Sequence, residues 1–131
     1  MSSKKTPLVI LGAGPGGFAA AIRAANNGIK TVLIDERPEP GGVCLHSGCI
    51  PSKALRHVTD VVSRAKEARE MGVRFSGLHV DRVQMRAWKN WVTKSMAHNL
   101  ARLVDRRKIK YLHGRARFVD RHEVEVALAN G

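Results

Sequence analysis

The sequence predicts an α/β fold: a parallel sheet begun by a β-α-β unit over residues 7–35, a helical excursion over about 51–107 and a small β segment over about 109–128. Three observations carry this. A glycine-rich turn of the form G-x-G-x-x-G links an apolar run to an alanine-rich helix. A second apolar run ends on two acids. Two stretches of helical period then precede two stretches of strand character.

Leu8-Val9-Ile10-Leu11 is a continuous apolar run, expected of a parallel strand buried on both faces. In Gly12-Ala13-Gly14-Pro15-Gly16-Gly17, Gly12 permits the tight turn, Gly14 lets the backbone approach a pyrophosphate, and Gly17 lets the helix pack close to the strand. The small-residue helix from Phe18 to Ala25 stops at Asn26-Asn27-Gly28. Its N-terminus offers unpaired N–H groups and a positive dipole end to an anion. Thr31-Val32-Leu33-Ile34 is the second strand. It ends at Asp35-Glu36, the distance at which an acid accepts hydrogen bonds from a ribose. Strand, turn, helix, strand and acid in this order read as a dinucleotide-binding unit rather than as a glycine-rich turn of another α/β protein. The motif by itself fits FAD and NAD equally.

The segment 41–55 follows, with both cysteines of the chain, Cys44 and Cys49, inside Gly41-Gly42-Val43-Cys44-Leu45-His46-Ser47-Gly48-Cys49-Ile50-Pro51-Ser52-Lys53. A zinc site needs two more soft ligands at matching spacing, and the sequence has none. Residues five apart on a straight helix have Cα atoms about 8–9 Å apart, whereas a disulfide needs about 4.4–6.8 Å. A bond between these two therefore requires a distorted turn, which Gly48 makes easier. A strained local disulfide is readily reduced, as suits a catalytic couple. The alternative is two buried, unpaired thiols. Next to a dinucleotide motif the redox pair is the stronger reading. It favours a flavin, because a dithiol needs a two-electron acceptor that can form a thiol adduct.

Pro51 opens a helix expected to run to about Met71, with Leu55, Val58, Val62, Ala65 and Ala68 on one face and Gly72 as its stop. Asp81 caps a second long helix through Trp88, Trp91, Val92 and Leu100 to Leu103-Val104. Both Trp read as packing residues. Ile109-Lys110-Tyr111-Leu112 reads as a strand, and Arg115-Ala116-Arg117-Phe118-Val119 follows. Glu123-Val124-Glu125-Val126-Ala127-Leu128 alternates at period two, as a half-exposed strand does. Asn130-Gly131 is a hairpin signal with no returning strand after it, so the chain reads as a fragment, a truncated reading frame or one piece of a split protein.

At 131 residues the chain is one domain at most, and its net charge is +12. The densest basic run is Arg102, Arg106, Arg107, Lys108 and Lys110. With no array of stacking aromatics, it reads as a solvated helix end favoured by the C-terminal dipole, and no nucleic acid is expected as partner. His57, His79, His98, His113 and His122 are scattered and read as surface or packing residues. No metal, no membrane and no signal peptide are expected, and a cytoplasmic location follows.

The residues Leu11 to Gly17, Gly28 to Asp35 and Gly41 to Leu55, in order and without gaps, resemble the start of the dihydrolipoamide dehydrogenases, flavin-dependent disulfide oxidoreductases. The resemblance covers essentially the whole chain. It implies the N-terminal part of a Rossmann-like FAD-binding domain, incomplete because the family's chains are several times longer. Gly12, Gly14 and Gly17 would contact the FAD pyrophosphate, with Gly42 also at the cofactor. The ribose acid falls on Asp35, where the family usually has Glu, and Glu36 is the alternative. Cys44 would be the interchange thiol toward the lipoyl disulfide, and Cys49 the charge-transfer thiol against the flavin. Lys53 would lie near the flavin's reactive nitrogen. The resemblance further implies NAD as final acceptor, a homodimer, and as partner the lipoyl-bearing acyltransferase component of a 2-oxo acid dehydrogenase complex. The NAD site and the His–Glu acid/base pair of the family have no counterpart here, so the chain alone is expected to be inactive, a nucleotide-binding or interaction fragment. His46 and Ser47 replace the usual Asn and an apolar residue, and Pro40 replaces a common Leu. His46 either lowers the Cys44 pKa when charged or is an exposed, tolerated change.

Overall fold

The computed structural model describes residues 4–129; the Asn130-Gly131 signal lies outside them. Eight elements follow in chain order: β1 (Leu8–Leu11), α1 (Pro15–Asn26), β2 (Thr31–Asp35), α2 (Gly42–Ser47), α3 (Cys49–Glu67), α4 (Arg82–Arg106), β3 (Lys110–Phe118) and β4 (Val124–Leu128). They form one sheet in the order β1-β2-β3-β4. β1 runs parallel to β2, with Leu8 opposite Thr31 and Leu11 opposite Ile34. β2 runs parallel to β3, with Val32 opposite Lys110 and Asp35 opposite His113. From Gly114 onward β3 changes partner and pairs antiparallel with β4, as far as Phe118 opposite Val124. The two segments read separately in the sequence are thus one strand. Gly114 is buried where the partner changes, and a Cβ there would run into the Ala127 carbonyl.

The core lies between α1, the sheet and the C-terminal end of α4. Ala13, Ala21, Leu33, Val104 and Ile109 are buried together, with Phe18, Ile22 and Tyr111 packed against them. Ala21 and Ala24 are small enough to let α1 lie close on the sheet, which explains the alanine-rich stretch. β2 fits its continuous apolar sequence, since Leu33 and Ile34 are buried. β1 does not: Val9 and Leu11 are each 37% exposed. Leu8 and Ile10 on the other face are half-buried, so one face of β1 is covered and the other is open among the described residues.

The cysteine segment is helical but broken. α2 and α3 are separated by Gly48 at φ −132° and ψ −106°, and α3 starts at Cys49, ahead of Pro51. α3 ends at Glu67 rather than near Met71. Beyond it the chain tightens into three-residue turns, and Gly72 at φ +86° closes them, with the Val73 N–H donating to the Ala68 carbonyl at 2.9 Å. The excursion is also not helical throughout, because residues 73–80 form neither helix nor strand. The Asp81 carboxylate accepts from the Val83 and Gln84 N–H groups at 2.8 and 3.0 Å, which fixes the start of α4. In the basic run, Arg107 donates from Nε to Asn26 Oδ1 at 2.7 Å and so joins the C-terminal ends of α4 and α1. β4 lacks clean alternation: Val124, Glu125 and Val126 are half-buried, and Ala127 and Leu128 are exposed. Among the described residues no helix is long and apolar enough to cross a membrane.

Candidate functional site

The turn after β1 begins at Gly12, whose φ of +90° bends the chain, and whose N–H donates to the Ile34 carbonyl at 2.7 Å. Gly17 sits against this turn. A Cβ there would collide with the Gly12 carbonyl and lie 3.2 Å from Ile10. Gly14 is different in kind. Its backbone is extended, at φ −66° and ψ −178°, and a Cβ built on it meets nothing within 4 Å. It is also the N-cap of α1, which has no side-chain cap and no acid in its first turn. Open space before an uncapped helix N-terminus is a cradle for an anion such as a pyrophosphate.

The acid at the end of β2 faces this turn. Asp35 accepts the Ala13 N–H at 2.6 Å through one carboxylate oxygen and the Arg37 N–H at 2.8 Å through the other. Glu36 points elsewhere. It pairs with Arg115 at 3.3 Å, and its backbone carbonyl lies 3.0 Å from His113 Nε2. The Tyr111 hydroxyl donates to the Arg37 carbonyl at 2.8 Å. Partial burial, with the Asp35 and Glu39 carboxylates nearby, pushes the Tyr111 pKa above its ordinary value, so it stays a donor. Three β3 side chains at alternate positions thus hold the segment 36–37. Sequence reading missed this set, although Tyr111, His113 and Arg115 stand at period two on one strand.

The cysteines are brought to the same place. The Gly41 N–H donates to the Ala13 carbonyl at 2.8 Å. A Cβ on Gly42, itself at φ +58°, would stand 2.7 Å from Gly14 Cα, so only glycine lets α2 start this close to the glycine turn. Cys44 lies on α2, half-buried, and Cys49 opens α3, exposed; both are free thiols. Cys49 follows the break at Gly48, and its influence, as a hydrogen-bonding and charged neighbour, together with partial burial raises the Cys44 pKa. Lys53, one turn beyond Cys49, acts in the opposite sense on Cys44. His46 is not free at the surface: its Nε2 lies 3.2 Å from the Pro40 carbonyl. His57, which packs its ring against Trp88 at 6.0 Å between centroids, and His79, His98 and His122 are exposed. Among the described residues no three His, Cys, Asp or Glu side chains cluster to hold a metal.

The family model of the pyridine nucleotide-disulphide oxidoreductases matches residues 6–130. The chain belongs to this family. It is 43% identical over 118 residues to a dihydrolipoyl dehydrogenase of Haemophilus influenzae, covering 90% of this chain and 25% of that one. The dihydrolipoyl dehydrogenase of Vibrio cholerae is 41% identical over 122 residues, covering 93% and 26%. A mitochondrial dihydrolipoyl dehydrogenase of Arabidopsis thaliana is 38% identical over 130 residues, covering 98% and 26%. Among solved structures, the Cu(II) complex of the HOCl-induced flavoprotein disulfide reductase RclA from Escherichia coli superposes with a TM-score of 0.71 at 27% identity, over 91% of this chain and 24% of that one. The chain spans about a quarter of the length of these relatives. The fold is therefore an N-terminal, Rossmann-like, FAD-binding part of a disulfide oxidoreductase, and FAD and a pyridine nucleotide are the cofactors of the family.

Proposed function

We propose that the chain is the FAD- and disulfide-bearing portion of a dihydrolipoyl dehydrogenase, which oxidises dihydrolipoyl groups and passes the electrons through Cys44 and Cys49 and FAD to NAD. One observation supports this best: the two thiols lie on α2 and at the first residue of α3, and α2 begins at Gly42, which packs on Gly14 of the glycine turn. In this reading Gly12, Gly14 and Gly17 shape the turn that takes the pyrophosphate, with Gly42 beside it. Asp35, rather than Glu36, takes the ribose, because its carboxylate already faces the turn while that of Glu36 is turned to Arg115. FAD, when bound, supplies a two-electron acceptor for the dithiol.

The protein's own part is thiol–disulfide exchange. A substrate thiolate attacks Cys44 Sγ of the Cys44–Cys49 disulfide, the S–S bond breaks, and Cys49 leaves as thiolate. The second substrate thiol then displaces Cys44, releasing a cyclic lipoyl disulfide and leaving both cysteines reduced. Lys53 adds a positive charge that favours the thiolate form of Cys44. In the assembled enzyme, NAD is the final acceptor, two chains form the dimer, and the lipoyl group arrives on the acyltransferase component of a 2-oxo acid dehydrogenase complex. The 131 residues alone carry out the exchange half-reaction without NAD-linked turnover. Acid–base catalysis of the kind the family's His–Glu pair performs is worth about 100- to 10,000-fold. The test is to mix oxidised protein with one equivalent of dihydrolipoamide and map thiols by mass. One lipoyl disulfide formed per chain, lost in Cys44→Ser and Cys49→Ser, is the expected result. Exchange that survives either substitution contradicts the reading.

A further inference from the structure

The peptide unit between Pro40 and Gly41 is gripped from both sides. Its N–H, on Gly41, donates to the Ala13 carbonyl of the phosphate turn at 2.8 Å. Its carbonyl, on Pro40, takes His46 Nε2 of α2 at 3.2 Å. A carbonyl only accepts, so Nε2 carries the proton, either in the neutral Nε2–H tautomer or in the imidazolium. The Pro40 ring is less than 2% exposed, which prevents the unit from swinging outward.

This grip adds to the packing of Leu45, which is 3% exposed, and of buried Gly42 in holding the cysteine helix. α2 has only six residues and no side-chain cap at its start, and so short a helix is not stable by itself. It is entered through two successive glycines, Gly41 at φ +121° and Gly42 at φ +58°, a pliable joint. It leaves through the break at Gly48. His46 lies inside that helix, two residues beyond Cys44 and three before Cys49. Pro40 and His46, two of the positions at which the sequence departs from the family it resembles, are thus each other's partners.

We propose that His46 is a positioning residue for the redox pair: by donating to the Pro40 carbonyl it clamps the Pro40–Gly41 peptide between α2 and the phosphate turn, and so fixes the geometry in which Cys44 and Cys49 meet. This rests on the reading of the two cysteines as a redox couple. Without the clamp α2 moves more freely, one sulfur spends less time near the other, and closing the disulfide becomes less favourable.

The experiment is redox equilibration of the chain in glutathione buffers. Two thiols of the protein lose two protons and two electrons to glutathione disulfide, which is reduced to two glutathiones. His46→Ala and His46→Phe, the second keeping a ring but no donor, lower the equilibrium constant for oxidation about three- to tenfold, the worth of one hydrogen bond. That corresponds to a potential raised by about 14–30 mV. His46→Gln, whose side-chain amide donates again, recovers most of the loss. Circular dichroism of each variant shows that it is folded. A His46→Phe variant with the wild-type potential overturns the positioning role, as does an equal shift in His46→Phe and His46→Gln. A wild-type chain that remains a dithiol in every buffer overturns the redox reading and the positioning role together.

Discussion

Gly14→Val separates a glycine needed by a ligand from one needed by the fold. At Gly14 the backbone is extended, a conformation that any residue adopts, and a new side chain enters open space. The cost to the fold is then limited to replacing a glycine N-cap by a poor one, about 1 kcal/mol. The same space is where a pyrophosphate reaches the first N–H groups of α1. Losing two hydrogen bonds to a charged group removes about 3–6 kcal/mol, or roughly two to four orders of magnitude in Kd for FAD. Gly17→Ala does the reverse. Its methyl collides with the Gly12 carbonyl and destabilises the fold before any ligand is considered, by about 1–3 kcal/mol. Flavin fluorescence titration gives the affinity, and urea unfolding without FAD gives the stability. The reasoning is refuted if Gly14→Val binds FAD like the wild type, or if it unfolds as readily as Gly17→Ala.

Asp35→Ala weakens FAD binding less than Gly14→Val does, because it removes one charge-assisted bond of about 1.5–3 kcal/mol. It also lowers the urea midpoint of the FAD-free chain further than Gly14→Val does, because the Ala13 and Arg37 N–H groups both lose their acceptor. Brief iodoacetamide treatment of the flavin-free, reduced chain labels exposed Cys49 ahead of Cys44, which is half-buried and whose pKa is raised. FAD covers Cys49 and reverses the order; mass mapping that finds one order in both states contradicts the assignment of the two thiols. Tyr111 is the single tyrosine of the chain, so tyrosinate absorbance reports on it alone. Its midpoint in the folded chain lies above the free value of about 10 and returns to it in urea. Because the folded state keeps a proton that the unfolded state releases, stability falls as pH rises through that free value.

The phosphate turn was legible in the sequence because each glycine's task there is local: a bend at Gly12, open space at Gly14, close packing at Gly17. The need for a distorted turn between Cys44 and Cys49 was legible too, from helix geometry. That the distortion is a full break into two helices at Gly48 was not. The proposed choice of Asp35 over Glu36 rests on strand geometry, in which neighbouring side chains leave on opposite sides. It needed the position of β3, because Arg115 claims Glu36. The exposure of β1 was hidden for a similar reason: the apolar run Leu8–Leu11 does not say which of its faces another element covers. The reading of His46 as an exposed, tolerated change does not fit a half-buried ring bonded to the backbone. Its partner is a backbone carbonyl six residues away across a loop, and no residue pattern encodes a backbone acceptor.

The central claim is that Cys44 and Cys49 form a redox couple that acts on a flavin held by the adjacent phosphate turn. The most direct measurement is an anaerobic titration of oxidised, FAD-loaded protein with dihydrolipoamide, followed by visible absorption and by thiol mapping. The account predicts that the first equivalent opens one Cys44–Cys49 disulfide per chain and perturbs the flavin spectrum in the same step, with the perturbation absent in Cys49→Ser. A flavin spectrum that stays unchanged while both cysteines become reduced contradicts it.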